Sequence, residues 1–153
     1  MVEEGKPAPD FALTSDEGEE VTLSSLPGRP IVLYFYPKDD TPGCTLQACD
    51  LRDAYAEFRE RGAVVLGVSR DDEASHQKFK EKYSLPFTLL ADPDHEVSER
   101  YGVWVEKNTY GRTGMGINRS TFVIDAEGNV AKAFYGVKPD GHARLVLDAL
   151  PSS

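Results

Sequence analysis

No apolar run in this chain approaches the roughly 18–20 residues a membrane span requires, so no transmembrane helix is expected. The N-terminus, Met1-Val2-Glu3-Glu4-Gly5-Lys6, lacks the basic start and apolar stretch of a secretory signal; the expectation is a cytoplasmic protein. Positive charge is scarce: 17 basic against 26 acidic side chains leave a net charge of −9. Such a surface repels phosphate backbones, and no basic stripe overrides it, so nucleic acid is not an expected partner. Cysteine is nearly absent, with only two in 153 residues, five positions apart. A secreted disulfide framework would need more of them, spread to close long loops. A structural zinc site wants four ligands, and His76, His95 and His142 are scattered without ligand spacing, so neither metal nor cofactor is expected. Internal repeats, low-complexity tracts and linkers are missing too, which predicts one domain over residues 1–153.

What is present alternates between strand and helix signals. Phe11 to Leu13 and Glu20 to Leu23 flank the turn Ser15-Asp16-Glu17-Gly18, predicting an N-terminal β-hairpin. Ile31 to Tyr36 is a run of six apolar or aromatic residues stopped by Pro37, the pattern of a central strand buried on both faces. A helix follows, with Thr41 as its N-cap and Pro42 in the first position, running to Arg61 before Gly62. Leu51, Tyr55 and Phe58 recur at helical spacing and give it a sheet-facing stripe. Further on, the pattern predicts a strand over 63–69, a helix over 73–83, a short strand over 87–90 and a helix over 95–101. Strands over 121–124 and 130–134 then flank a turn, and a last helix covers 141–150. The order implies an α/β fold with a central mixed sheet flanked by helices on both sides. Residues 104–118, with Gly111, Gly114 and Gly116, read as a long functional loop.

The chemistry concentrates at Pro37-Lys38-Asp39-Asp40-Thr41-Pro42-Gly43-Cys44, past the carboxyl end of a central strand, where α/β folds collect their sites. With Thr41 as N-cap, Cys44 falls in the first helical turn, whose unpaired N–H groups and positive dipole end favour a thiolate. The competing reading is an inert buried helix thiol. Gly43 leaves room for a ligand near the backbone. The Thr41 hydroxyl can cap the helix or hydrogen-bond a substrate oxygen. Cys49 lies five residues along the same helix, so the two Cα atoms stand about 8–9 Å apart. A disulfide needs less than ~7 Å, so pairing would require local unwinding; otherwise Cys49 is a second inert thiol. The Cys-x-x-Cys motif of disulfide-exchange enzymes is absent.

The segments Phe35-Tyr36-Pro37-Lys38-Asp39-Asp40-Thr41-Pro42-Gly43-Cys44-Thr45, Ala48-Cys49 and Gly116-Ile117-Asn118-Arg119-Ser120-Thr121-Phe122-Val123-Ile124-Asp125 resemble those of a Q-type peroxiredoxin, also called bacterioferritin comigratory protein. The family pattern Pro-x-x-x-Thr-x-x-Cys falls on Pro37, Thr41 and Cys44, and the resemblance covers nearly the whole chain. It implies a thioredoxin-like fold and the reduction of hydrogen peroxide and organic hydroperoxides. It also implies roles: Cys44 as the attacking thiolate, Thr41 as the hydroxyl holding thiolate and peroxide, and Pro37 as a shield from water. Arg119 is implied as the guanidinium that polarises the peroxide, and Cys49 as the resolving thiol. Arg119, Thr41 and the Cys44 N–H would act as donors to the leaving oxygen. The implied reductant is thioredoxin, with glutaredoxin as the alternative; the implied state is a monomer, with a weak dimer as the alternative. The Gly-Gly-Leu-Gly and C-terminal Tyr-Phe segments of overoxidation-sensitive relatives do not occur, so resistance to hyperoxidation is expected.

Two rivals remain on the residues alone. A protein disulfide oxidoreductase would not need Arg119, and it lacks Cys-x-x-Cys here. A silent binding module on the same fold would not need Cys44, Thr41 and Arg119 together.

Overall fold

Six consecutive large apolar residues, Ile31 to Tyr36, need cover on both sides, and the chain provides it. The computed structural model describes residues 2–26, 28–109 and 111–151. Its strands are β1 (Ala12–Ser15), β2 (Glu20–Thr22), β3 (Ile31–Phe35), β4 (Val64–Ser69), β5 (Thr88–Ala91), β6 (Trp104–Thr109), β7 (Arg112–Ile117), β8 (Ser120–Ile124) and β9 (Val130–Phe134). The helices are α1 (Pro42–Asp53), α2 (Tyr55–Glu60), α3 (Glu73–Tyr83), α4 (Glu96–Arg100) and α5 (His142–Ala149).

Seven strands form one sheet in the order β2-β1-β5-β4-β3-β8-β9, with β3 parallel to β4 and antiparallel to β8. The predicted mixed sheet is present, and both predicted hairpins pair as expected. Along β3 the side chains alternate between two cores. Val32, Tyr34 and Tyr36 join Leu51, Phe58, Phe79 and Val146 beneath α1, α2, α3 and α5. Ile31, Leu33 and Phe35 join Val97, Tyr101, Ile117 and Phe122 on the side of α4 and β7.

Two expectations are corrected. The helix predicted over 41–61 is two helices, because Ala54 relaxes to φ −97°, ψ 4° between α1 and α2. No glycine or proline marks that break; Leu51 and Phe58 stay fully buried across it, so packing carries the stripe through the bend. The loop predicted over 104–118 is a β6–β7 hairpin, registered from Trp104↔Ile117 to Thr109↔Arg112. Its glycines have structural work. Gly111, at φ 78°, supplies left-handed backbone just before β7, and a Cβ on Gly116 would sit 3.1 Å from Cδ of Lys107.

The loop between β3 and α1 is tied down by a buried polar network. Asp39 accepts hydrogen bonds from the Tyr36 hydroxyl and from the Ser75 hydroxyl (2.8 Å), and pairs with His76 Nδ1 at 2.7 Å. Its own N–H donates to Asp71, which also accepts from Ser69 at the end of β4. Asp40, in left-handed backbone at φ 57°, is held by Lys82 and Tyr83 of α3. The His76 Nε2 faces the Leu90 carbonyl at 2.9 Å, which can only accept, so Nε2 carries a proton. Nδ1 lies 2.7 Å from the Asp39 carboxyl oxygen, a partner that favours the doubly protonated ring. Burial pulls that ring down, but the hydrogen bond and charge of Asp39, the Leu90 carbonyl and the Asp71 charge outweigh it and leave its pKa raised.

A raised pKa contributes stability that is complete below the unfolded-state value and lost as pH rises through the folded one. Urea unfolding should therefore show wild-type stability falling above about pH 6.5 by a component that an Asp39→Ala/His76→Leu double variant lacks. Parallel pH profiles for the two proteins would remove the ion pair from this account.

Candidate active site

The site is assembled where β3 ends and α1 begins. Tyr36 N–H donates to the Val68 carbonyl, which keeps the chain on the sheet until the turn. Pro37 follows, half-buried. The Thr41 hydroxyl donates to the Lys38 carbonyl at 2.9 Å and makes no side-chain cap to α1. Thr41 keeps the expected N-cap position, but its side chain does not make the expected cap. With its proton on the Lys38 carbonyl, the Thr41 oxygen keeps lone pairs free to accept. Pro42 opens α1, whose first regular bond runs from Thr45 N–H to the Thr41 carbonyl at 2.8 Å.

Cys44 sits in the first turn with 2% of its surface exposed. Arg119 reaches it from the segment between β7 and β8. Its Nη2 lies 3.4 Å from the sulfur, while Nη1 donates to Gln47 Oε1 at 2.6 Å. The guanidinium is aimed from below as well: Arg119 O accepts from Val137 N–H, and the neighbouring Asn118 N–H donates to the Val103 carbonyl. Chain segments 75 residues apart thus converge on one sulfur.

Gly43 has a sharper purpose than ligand access. A Cβ there would stand 3.1 Å from Arg119 Nη2 and 3.6 Å from Pro139 Cγ, so glycine is what lets the guanidinium cross the helix start.

Three contributors were not read from the sequence. Gln47 is fully buried and orients Arg119; its spacing of one turn from Cys44 was the available signal. Tyr34 is buried beside the thiol, with burial first, then the Cys44 and Asp39 charges, holding its phenol well above the usual range. It is therefore a neutral group, and its hydroxyl and the Gln47 Nε2 have no hydrogen-bond partner among the described residues. Lys107 of β6 is the third. Its pKa is lowered by burial and then by the Arg119 charge, with Cys44 opposing, so a second cation lies within electrostatic reach of the pair.

Cys49 is half-buried on the same helix, and both cysteines are free thiols. The intact helix keeps them apart, as the spacing requires. Among the described residues no group of three His, Cys, Asp or Glu is placed to hold a metal ion. A cavity of about 310 Å³ lies elsewhere, lined by Ala8, Leu23, Ile31 and Ala126. A substrate the size of a peroxide needs no such volume, so the convergence at Cys44 outweighs it as the candidate site.

Comparisons with known proteins identify the family. The sequence profile of the AhpC/TSA family matches residues 4–133. The chain is 51% identical to a protein named putative peroxiredoxin bcp from Coxiella burnetii, over 97% of this chain and 99% of that one. It is 50% identical to peroxiredoxin Bcp of Bacillus subtilis, over 97% and 95%. Among solved structures, a mutant of Xanthomonas campestris peroxiredoxin Q superposes with a TM-score of 0.89 at 41% identity, covering 95% of this chain and 96% of that one. Peroxidoxin BcpB of Mycobacterium tuberculosis does so with a TM-score of 0.86 at 34% identity, covering 97% and 96%. The thioredoxin-like mixed sheet expected from the resemblance is the fold these neighbours share. By this full-length match in profile, sequence and structure, the chain belongs to the AhpC/TSA family, on its peroxiredoxin Q (bacterioferritin comigratory protein) branch.

Proposed function

We propose that this chain reduces hydrogen peroxide and organic hydroperoxides at Cys44. The observation that carries the reading is the Arg119 guanidinium placed between Cys44 sulfur and Gln47 at the first turn of α1. The Cys44 thiolate attacks the terminal peroxide oxygen in line, forming an S–O bond as the O–O bond breaks. The electron pair leaves with the distal oxygen, which takes a proton and departs as water or an alcohol; Cys44 is left as a sulfenic acid. Arg119 stays charged at any relevant pH and stabilises the thiolate before attack and the leaving oxygen during it. Thr41 accepts from the peroxide hydroxyl, and Pro37 covers the sulfur on its loop side.

Cys49 then attacks the sulfenic acid, releasing water and forming the Cys44–Cys49 disulfide. The intact helix cannot hold that bond, so the first turns of α1 unwind for it. An external dithiol, which we take to be thioredoxin, with glutaredoxin the alternative, restores both thiols by exchange. This chemistry suits a reducing compartment such as the cytoplasm, and we take the working unit to be a monomer.

Stopped-flow reaction with hydrogen peroxide tests the reading. Arg119→Met should slow sulfenic acid formation by about a hundred- to a thousandfold, and Cys44→Ser should abolish it. An Arg119→Met protein reacting at the wild-type rate would refute the proposal. Gly43→Ala should cost roughly ten- to a hundredfold in the same rate, because a displaced guanidinium loses its aim, while the unfolding midpoint barely moves. A Gly43→Ala rate within twofold of wild type would show that Arg119 need not cross there. Cys49→Ser should keep the first turnover and lose thioredoxin-supported cycling; unchanged cycling would take Cys49 out of the mechanism.

A further inference from the structure

A cation stands near the Cys44–Arg119 pair without a carboxylate to balance it. Lys107 lies in β6, half-buried, opposite Gly114 of β7. Its stem does not stay over that partner: a Cβ on Gly114 would meet nothing within 4 Å. The stem crosses instead to Gly116, where a Cβ would stand 3.1 Å from Lys107 Cδ, 3.5 Å from Cε and 3.8 Å from Cγ. The side chain therefore runs along β7 toward Ile117 and the segment that carries Arg119, over a track that glycine keeps clear. Among the described residues the charges that act on it are those of Arg119 and Cys44, and no carboxylate joins them.

The peroxide step needs a proton that nothing so far supplies. Attack at the terminal oxygen leaves the O–O electron pair on a hydroxide or an alkoxide, and the pKa of water, ~15.7, shows how poor a leaving group that is unprotonated. Arg119 stabilises the charge but does not give up a proton. The Thr41 proton is on the Lys38 carbonyl. The Tyr34 phenol, held well above its usual range by burial and then by the Cys44 charge, keeps its proton. Burial holds the His142 ring down to about 4, the Asp50 charge opposing and Arg119 reinforcing, so it carries no imidazolium proton at neutral pH. The His76 ring is engaged by Asp39 and the Leu90 carbonyl. Lys107 differs from all of these. Burial and then the Arg119 charge make its ammonium a readier donor than a solvated lysine.

We propose that Lys107 is the general acid of the peroxide step: as sulfur bonds to the terminal oxygen and the O–O bond breaks, its ammonium gives a proton to the departing oxygen. The products are the Cys44 sulfenic acid, water or an alcohol, and a neutral Lys107 amine that regains its proton from solvent. This rests on the reading of Cys44 as the peroxide-attacking thiolate.

Stopped-flow oxidation of the full chain by two classes of peroxide tests it. Hydrogen peroxide and tert-butyl hydroperoxide expel strong bases and need the proton. Peroxyacetic acid, freed of hydrogen peroxide with catalase, expels a carboxylate and does not. Lys107→Met should slow sulfenic acid formation about a hundredfold with the first two, the low end of what general acid catalysis supplies, and less than about threefold with peroxyacetic acid. That last rate also shows that the variant keeps its folded site. Lys107→Arg, which retains the charge but not a transferable proton, should be slowed with the same two peroxides. Equal slowing of Lys107→Met with all three, or a Lys107→Arg protein at the wild-type rate, would make Lys107 a charge acting on the thiolate and overturn the proton transfer. Lys107→Met rates within about twofold of wild type throughout would leave solvent as the donor and overturn it as well. Wild-type protein that no peroxide oxidises sinks the peroxidase reading itself, whereas normal wild-type oxidation with an indifferent Lys107→Met sinks the general acid alone.

Discussion

A sulfur anion taken out of water must find a fixed positive charge, and that constraint organises most of this molecule. Cys44 is almost wholly buried, and Arg119 stands 3.4 Å from it. An uncompensated buried charge costs several kcal/mol, so the pair is formed or the thiolate is not. Everything nearby serves the geometry of that pair. Gln47 holds one arm of the guanidinium, Gly43 clears its path, and the antiparallel pairing of β3 with β8 brings the two chain segments side by side. On the opposite side of the loop, the Asp39–His76 network fixes where α1 starts.

The two faces of the sheet divide the labour. The face under α1, α2, α3 and α5 carries the Cys44 thiol and the tyrosines packed in the same core. The other face holds Phe35, Tyr101 and Phe122 in mutual aromatic contact. An aromatic-packed half therefore backs the half that carries the α1–α2 break. The kink at Ala54 separates α1 from α2, so unwinding at the start of α1 need not disturb Phe58.

Local signals were legible wherever they were strong. α3 from Glu73 to Tyr83 and β9 from Val130 to Phe134 follow their patterns to the residue, and β3 stops one residue short of its Ile31 to Tyr36 run. The β6–β7 hairpin was not, because glycines at 111, 114 and 116 mimic a loop and the pairing partner is needed to see strands. The break at Ala54 has no local signature at all. At the candidate site, motif spacing singled out Cys44, Thr41 and Arg119, but not what each side chain is bonded to. Whether the Thr41 proton goes to helix, substrate or the Lys38 carbonyl is decided by loop geometry that spacing does not encode. Gln47 and Tyr34 were hidden for a similar reason, since burial beside a thiol is a tertiary fact.

The central claim is that a peroxide oxidises Cys44 and that Cys49 answers it. The most direct measurement counts free thiols after one equivalent of hydrogen peroxide is added to the reduced protein, with peptide mass analysis of the product. The account predicts that both thiols disappear and that a linked Cys44–Cys49 peptide is recovered. Survival of both thiols through minutes of excess peroxide would contradict it and return the chain to a silent module on a peroxidase fold.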